Sequence, residues 1–365
     1  HYVAIHHILY KRKISQKMLE PYFKKEDFIL CDVPVPEGYP QSQTHAGIAV
    51  YNGKFYLTCS PYPLKKYSRL QIYAKLLLQK LTFGKLGQFI DADSYENPLL
   101  YEGIDNGGKP PFKFRILQPA PLMESPQKIE GVQSYNSDPD IFVEDDTFYI
   151  LNRSYYRSKD ASKHTNQKAL ISLIEGGIRS GVFSVNHIEE LTKTDKSFLS
   201  PCVTHYNSQY IYAHLESNSA IDGKTFEGIY LSKGKSIDDL KTNTYFEKTE
   251  IDTNDLLPWH MSIFTHKDTL YAIITCAKKN CKIITMQQYL GRFDNDLNML
   301  HIYSKPLVGL NSYRGAACIL SDEMFVLYTT TVQENIKGSK SVDGRNILLA
   351  YTSFPELLKV LQDED

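Results

Sequence analysis

Five stretches of the chain carry one pattern of apolar and polar positions. They are HAGIAVYNGKFYL from His45, DPDIFVEDDTFYI from Asp138, SPCVTHYNSQYIY from Ser200, HMSIFTHKDTLYA from His260 and GAACILSDEMFVL from Gly315, the last just after Arg314. Each aligns with the others without a gap. A head residue is followed by a small or apolar strand, a polar turn of Asn, Asp, Gly, Ser or Lys, and an aromatic-rich strand. Apolar runs broken by such turns predict β-hairpins. A hairpin recurring along the chain predicts a repeat architecture. Repeats of roughly 40 to 50 residues holding a few strands each suggest a β-propeller. The expectation is therefore an all-β, five-bladed propeller occupying residues 1–365 as a single domain. In that wheel the innermost strand of each blade runs along the central channel. Its head residue sits at one mouth, so heads far apart in sequence converge on one funnel.

The first interval between heads is the longest, and its surplus can be located. LKKYSRLQIYAKLLLQKLTFGKLG (Leu64 to Gly87) carries Leu70, Tyr73, Leu77 and Leu81 at helical spacing. It predicts a helical insertion at 64–90, in or after the first blade. Lys65, Lys66, Arg69, Lys75, Lys80 and Lys85 make it basic. It reads either as a helix packed on the propeller's side or as a surface, 64–87, that meets a protein partner or an anionic membrane. The last residues, SFPELLKVLQDED, predict a C-terminal helix over 354–365.

Composition narrows the function classes. Lys and Arg number 41 against 42 Asp and Glu, so no global field draws nucleic acid, and the basic residues form no nucleic-acid-binding stripe. The chain has 26 Tyr and one Trp, with 17 Pro and 20 Gly, which suits strands and turns. No apolar run reaches the ~18 residues that cross a bilayer. The opening HYVAIHHILYKRK lacks the apolar core of a signal peptide, so a cytoplasmic protein is the default expectation. Phosphate-loop, dinucleotide and nucleophile-elbow motifs are absent. The six Cys show no zinc spacing. Cys276 and Cys281 flank AKKN and could pair. Free buried thiols are the alternative, and the favoured one. Neither an organic cofactor nor a metal is expected, and the oligomeric state is open.

The motifs SDPDIFVEDDTFYIL, THAGIAV…YLTCSPYP, YENPLLYEGIDNG, SPCV and PWHMSIF, in this order, resemble the five-bladed propeller glycosidases, the furanosidase-like superfamily that includes glycoside hydrolase families 43 and 32. The resemblance runs from about Gln43 to Ser353, and it is to a divergent branch. It implies hydrolysis of a glycosidic bond in a bacterial glycan. It also implies three carboxylates at the channel mouth: a base on blade one, an orienting Asp on blade two and a proton-donating Glu on blade three. Only the second is present, as Asp138. The first position is His45, and the third falls at Leu199 or Ser200. A non-catalytic glycan-binding propeller and a glycosyl-transfer role in polysaccharide assembly therefore stand beside hydrolysis.

The candidate site follows. Asp138 before Pro139 either caps a turn or heads the site, and its place in the repeat favours the site. Asp140 is second to it. His45 and His260 head two blades, where a neutral imidazole exchanges protons near pH 7. With Asp138 they could alternatively hold a divalent metal. The resemblance brings Glu96 of SYENP near the funnel, where it would restore a pair of carboxylates with Asp138. Asp138, Glu96 and His45 are the expected catalytic residues. His260, Arg314, Arg153, Trp259 and Ser200 are expected to bind substrate. Arg314 and Arg153 would clamp an anionic group or pair across blades. Trp259 offers a sugar platform or packs in the core. Tyr62 and Tyr95 fit an aromatic rim.

Overall fold

The computed structural model describes residues 20–37, 39, 42–62, 74, 77–78, 81, 96–118, 121–124, 132–158, 168–194, 197–217, 226–242, 245–252, 256–278, 286–309, 312–331 and 345–365. Most of the expected helical insertion at 64–90 lies outside these residues, as do Tyr95 and Cys281. Cys276 is buried and free. No helix among the described residues is long and apolar enough to cross a membrane.

The strands fall into antiparallel units of four. The short β1 (Ile29–Leu30) precedes the first unit, which holds β2 (Ser42–Tyr51), β3 (Lys54–Tyr62), β4 (Leu99–Gly103) and β5 (Phe114–Ile116). The second holds β6 (Val132–Glu144), β7 (Thr147–Ser158), β8 (Lys168–Arg179) and β9 (Val182–Thr194). The third holds β10 (Ser197–Tyr206), β11 (Gln209–Ser217), β12 (Phe226–Gly234) and, after the helix α1 (Ile237–Thr242), β13 (Glu247–Asp252). The fourth holds β14 (Leu256–His266), β15 (Thr269–Lys278), β16 (Gln287–Phe293) and β17 (Met299–Ile302), and its β17 pairs in parallel with β13. The last holds β18 (Ser312–Ile319), β19 (Met324–Thr331) and β20 (Asn346–Ser353), completed by β1 from the other end of the described chain.

The innermost strands touch in a closed cycle: β2 against β6, β6 against β10, β10 against β14, β14 against β18 and β18 against β2. An apolar cluster fills each junction. Leu57, Tyr101, Val326 and Leu349 fill one of them, and Leu151, Ile171, Phe198 and Tyr212 another. The fold is a β-propeller. Its ring closes through main chain as well, because the Gln43 N–H donates to the Arg345 carbonyl at 3.1 Å. The C-terminal helix α2 (Phe354–Asp363) is capped by Ser353 and buries Phe354, Leu357 and Leu361 in the junction between the fourth and last units.

Local chemistry explains the hairpins. Asn52 and Gly53, Asp145 and Asp146, and Asn207 and Ser208 all have positive φ in two-residue loops, the turn whose twist matches the flanking strands. One feature departs from regular pairing in every innermost strand. The register slips between Thr44 and Gly47, Ser137 and Asp140, Leu199 and Cys202, Pro258 and His260, and Ser312 and Gly315. These are β-bulges at equivalent places around the ring, and bulges re-aim side chains. His45, Asp138 and Ser200 adopt positive φ there, at 60°, 52° and 50°.

The channel wall is tight at Gly47. A Cβ there would lie 2.6 Å from Thr58 Oγ1 and 2.9 Å from the Pro139 carbonyl of the next blade. Gly47→Ala is expected to cost about 1–3 kcal/mol through overpacking, measured as a lower urea midpoint with an unchanged slope. An unaltered midpoint would mean that the two strands do not meet there.

Candidate active site

The bulges aim their residues at one buried cluster. Asp138 is fully buried. Its Oδ1 lies 3.1 Å from His45 Nε2 and 3.6 Å from His260 Nδ1. Its Oδ2 lies 3.2 Å from Arg153 Nε and accepts from the Ser200 N–H at 3.3 Å. Arg153 is fixed in turn, donating to the Phe198 carbonyl at 3.1 Å and to Ser137 Oγ at 2.9 Å. Ser200 Oγ is 2.9 Å from His260 Nδ1. On the far side of the His45 ring, Nδ1 is 3.1 Å from Glu96 Oε1. The site thus joins His45, Glu96, Asp138, Arg153, Ser200 and His260, which the chain holds up to 215 residues apart.

Burial and charge set the protonation of these groups. Burial pushes the Asp138 carboxyl up, but Arg153, followed by the two imidazoles, outweighs it and holds the group well below the carboxylate range. Burial lowers both imidazoles, with His260 at about 3, so both rings are neutral. Glu96 is pushed up to about 8 by burial, against the pull of the neighbouring Arg345.

The donor set suits a divalent cation. One donor atom from each of His45, Asp138 and His260 lies within 4.8 Å of the others. Two neutral imidazoles and one carboxylate make a familiar mixed nitrogen and oxygen set. Donors sharing an ion at about 2.0–2.2 Å stand some 3 to 3.5 Å apart, close to the 3.1 and 3.6 Å seen here. Two of these donor atoms, His45 Nε2 and Asp138 Oδ1, are buried without a hydrogen-bond partner among the described residues. A carboxylate on the outer nitrogen of a ligating His orients its ring, and Glu96 stands in that place.

The other expected residues lie elsewhere. Arg314 is fully buried in the wall, donating to Asp140 Oδ1 and to the Pro201 carbonyl, each at 3.4 Å. Asp140 also accepts from the Val203 N–H at 3.2 Å, so this pair joins three blades. Trp259 is the bulge residue before His260, and it packs with Ala277 and Met286. Two residues went unread. Tyr313, not Arg314, faces the cluster, its ring centroid 4.6 Å from that of His260 and 5.4 Å from that of His45. Counting the bulge as two residues opposite one would have placed Tyr313 with His45, Asp138 and Ser200. Arg345 lies between the rings of Tyr62 and Tyr313, 3.7 and 3.8 Å from their centroids. It precedes β20 with no local signal.

No protein-family model and no curated protein matches the chain. Solved structures do. An N-acetylgalactosamine deacetylase from F. plautii, in complex with blood group B trisaccharide, is 14% identical with a TM-score of 0.60, covering 92% of this chain and 98% of its own. A xylan β-1,4-xylosidase from Bacillus halodurans is 12% identical with a TM-score of 0.57, covering 87% and 54%. A GH43_1 enzyme from Xanthomonas citri complexed with xylotriose is 9% identical with a TM-score of 0.52, covering 88% and 90%. At these identities the likeness is one of fold.

The buried charge gives a direct test. Arg153→Met leaves Asp138 without its cation and is expected to cost about 3–5 kcal/mol. Arg115→Met removes the solvent-exposed partner of Glu102 and is expected to cost less than about 1 kcal/mol. Urea melts of both variants measure the difference, and equal costs would mean that Asp138 is not a buried charge.

Proposed function

We propose that this chain is a glycan-directed hydrolase that removes an acyl substituent from a sugar, with a divalent cation held by His45, Asp138 and His260. The donor cluster is the observation that carries this reading. The third-blade head is Ser200, so the Glu that donates a proton in the resembling glycosidases has no counterpart there. Asp138 is fully buried, with Oδ2 held by Arg153 and the Ser200 N–H, and is poorly placed to activate water for glycosidic cleavage. Saccharide substrates are supported by the neighbours of the fold, named as a deacetylase with a bound trisaccharide, a xylosidase and an enzyme complexed with xylotriose.

A bound divalent ion lowers the pKa of water and polarises a carbonyl. The rest falls to the chain's own residues. Asp138 supplies the one negative charge of the donor set, and Arg153 and the Ser200 N–H keep it ionised and fixed. Glu96 Oε1 stands 3.1 Å from His45 Nδ1, on the ring edge away from Asp138, and holds Nε2 toward the cluster. Ser200 Oγ, 2.9 Å from His260 Nδ1, would give up that nitrogen to a bound ion. Tyr313 covers both imidazoles and shields the cluster from bulk water.

A second reading, glycosidic hydrolysis, is favoured by one feature: Glu96 and Asp138 both reach the His45 ring, a pair of carboxylates at one mouth. One assay separates the two. Purified protein is incubated with acetylated bacterial polysaccharides, and both released acetate and new reducing ends are measured, with and without EDTA and added Zn²⁺ or Mn²⁺. Acetate release that chelation abolishes and metal restores is the expected result. Glu96→Gln is expected to weaken metal affinity by about 10- to 100-fold, and Asp138→Asn to abolish release. Reducing ends unaffected by chelation would establish the second reading instead. Binding without either product would make this a lectin-like propeller.

A further inference from the structure

We infer that the glycan is acidic, and that Arg345 takes a carboxylate on the sugar bound beside the reaction centre. The inference rests on the funnel being a glycan site and adds the charge of its substrate. Three arginines stand around the funnel. Arg153 is paired with Asp138 and Arg314 with Asp140. Arg345 has no carboxylate oxygen within ion-pair distance among the described residues. Its surroundings leave it one way to bind. The guanidinium carbon lies over the rings of Tyr62 and Tyr313, 3.7 and 3.8 Å from their centroids. Nη1 donates to Thr44 Oγ1 at 3.1 Å, which fixes the plane. Its side chain also hydrogen-bonds to Tyr313, the Glu96 carboxyl acts on its charge from beyond ion-pair distance, and the residue is half-buried rather than sealed in the wall. A half-buried guanidinium packed against aromatic rings, with its plane fixed, suits a planar, bidentate anion. Stacking also removes most of the rotamer entropy that a free Arg would lose on binding.

The location ties this cation to the chemistry. Tyr313 touches Arg345 on one side and the His45 and His260 rings on the other, so the guanidinium is one aromatic ring away from the donor cluster. An anion held there belongs to the reacting sugar or its immediate neighbour. A uronic-acid carboxylate matches the planar geometry. Sulfate and phosphate esters share the charge but not the planarity, so the test separates them.

The test compares a panel of uronate-containing bacterial capsular oligosaccharides with the same oligosaccharides after carbodiimide-mediated reduction of their carboxylates to alcohols. Sulfated and phosphorylated oligosaccharides form a third arm. Affinities are measured calorimetrically for the full chain, Arg345→Gln and Arg345→Lys. The expected result is that ligands bind about tenfold or more tightly in the acidic form than in the reduced form, that the ratio collapses towards one in Arg345→Gln, and that it is partly kept in Arg345→Lys. A purely structural clamp between Tyr62 and Tyr313 would lower both affinities together and leave the ratio unchanged, which would overturn the inference. So would tighter binding of the reduced forms. Preference for sulfated or phosphorylated ligands over uronates would overturn the assignment of a carboxylate. If neutral members bind and acidic ones do not, the inference fails while the glycan reading stands. If no member binds, the glycan reading fails, and the inference with it.

Discussion

The buried negative charge of Asp138 constrains everything around it. A carboxylate removed from water is costly unless it is paired and hydrogen-bonded. Here one side is met by Arg153 and a backbone N–H, the other by two imidazoles. Those partners come from the first four blades, so the charge is met only when those blades pack around one axis. The same packing keeps the rings dry and neutral. The apolar junctions between blades supply the driving force that holds the charged groups together.

Much of this was legible from hydrophobic patterning. The five hairpins are written as apolar strands around polar turns, and their head positions include His45, Asp138, Ser200 and His260. What the pattern does not carry is the bulge. An ungapped reading of the last repeat puts Arg314 at the funnel, yet a one-residue change of register flips a side chain to the other face. Tyr313 faces the cluster and Arg314 enters the wall. Glu96 and Arg345 lie outside the repeated hairpins, in connections whose course depends on the tertiary fold. Glu96 was reached only through its resemblance to a motif, and Arg345 not at all. Trp259 shows the converse: a lone aromatic beside a site residue that went into packing.

The scaffold is shared with glycosidases, but the funnel is rewritten at its heads. An imidazole stands at the first blade and a hydroxyl at the third, where carboxylates are expected. Fold does not dictate chemistry, because chemistry resides in side chains grafted onto it. In the proposed reading, neutral imidazoles in place of acids make a set of cation donors on the same strands. Arg345, without a carboxylate at ion-pair distance among the described residues, extends the proposal from reaction type to substrate charge.

Diffraction from a crystal grown with Mn²⁺ or Zn²⁺, recorded on both sides of the metal absorption edge, tests the central claim most directly. The expected result is one anomalous peak between His45, Asp138 and His260, at about 2.0–2.2 Å from a donor atom of each. No peak there, with His260 still hydrogen-bonded to Ser200 and the metal bound only at surface carboxylates, would contradict it.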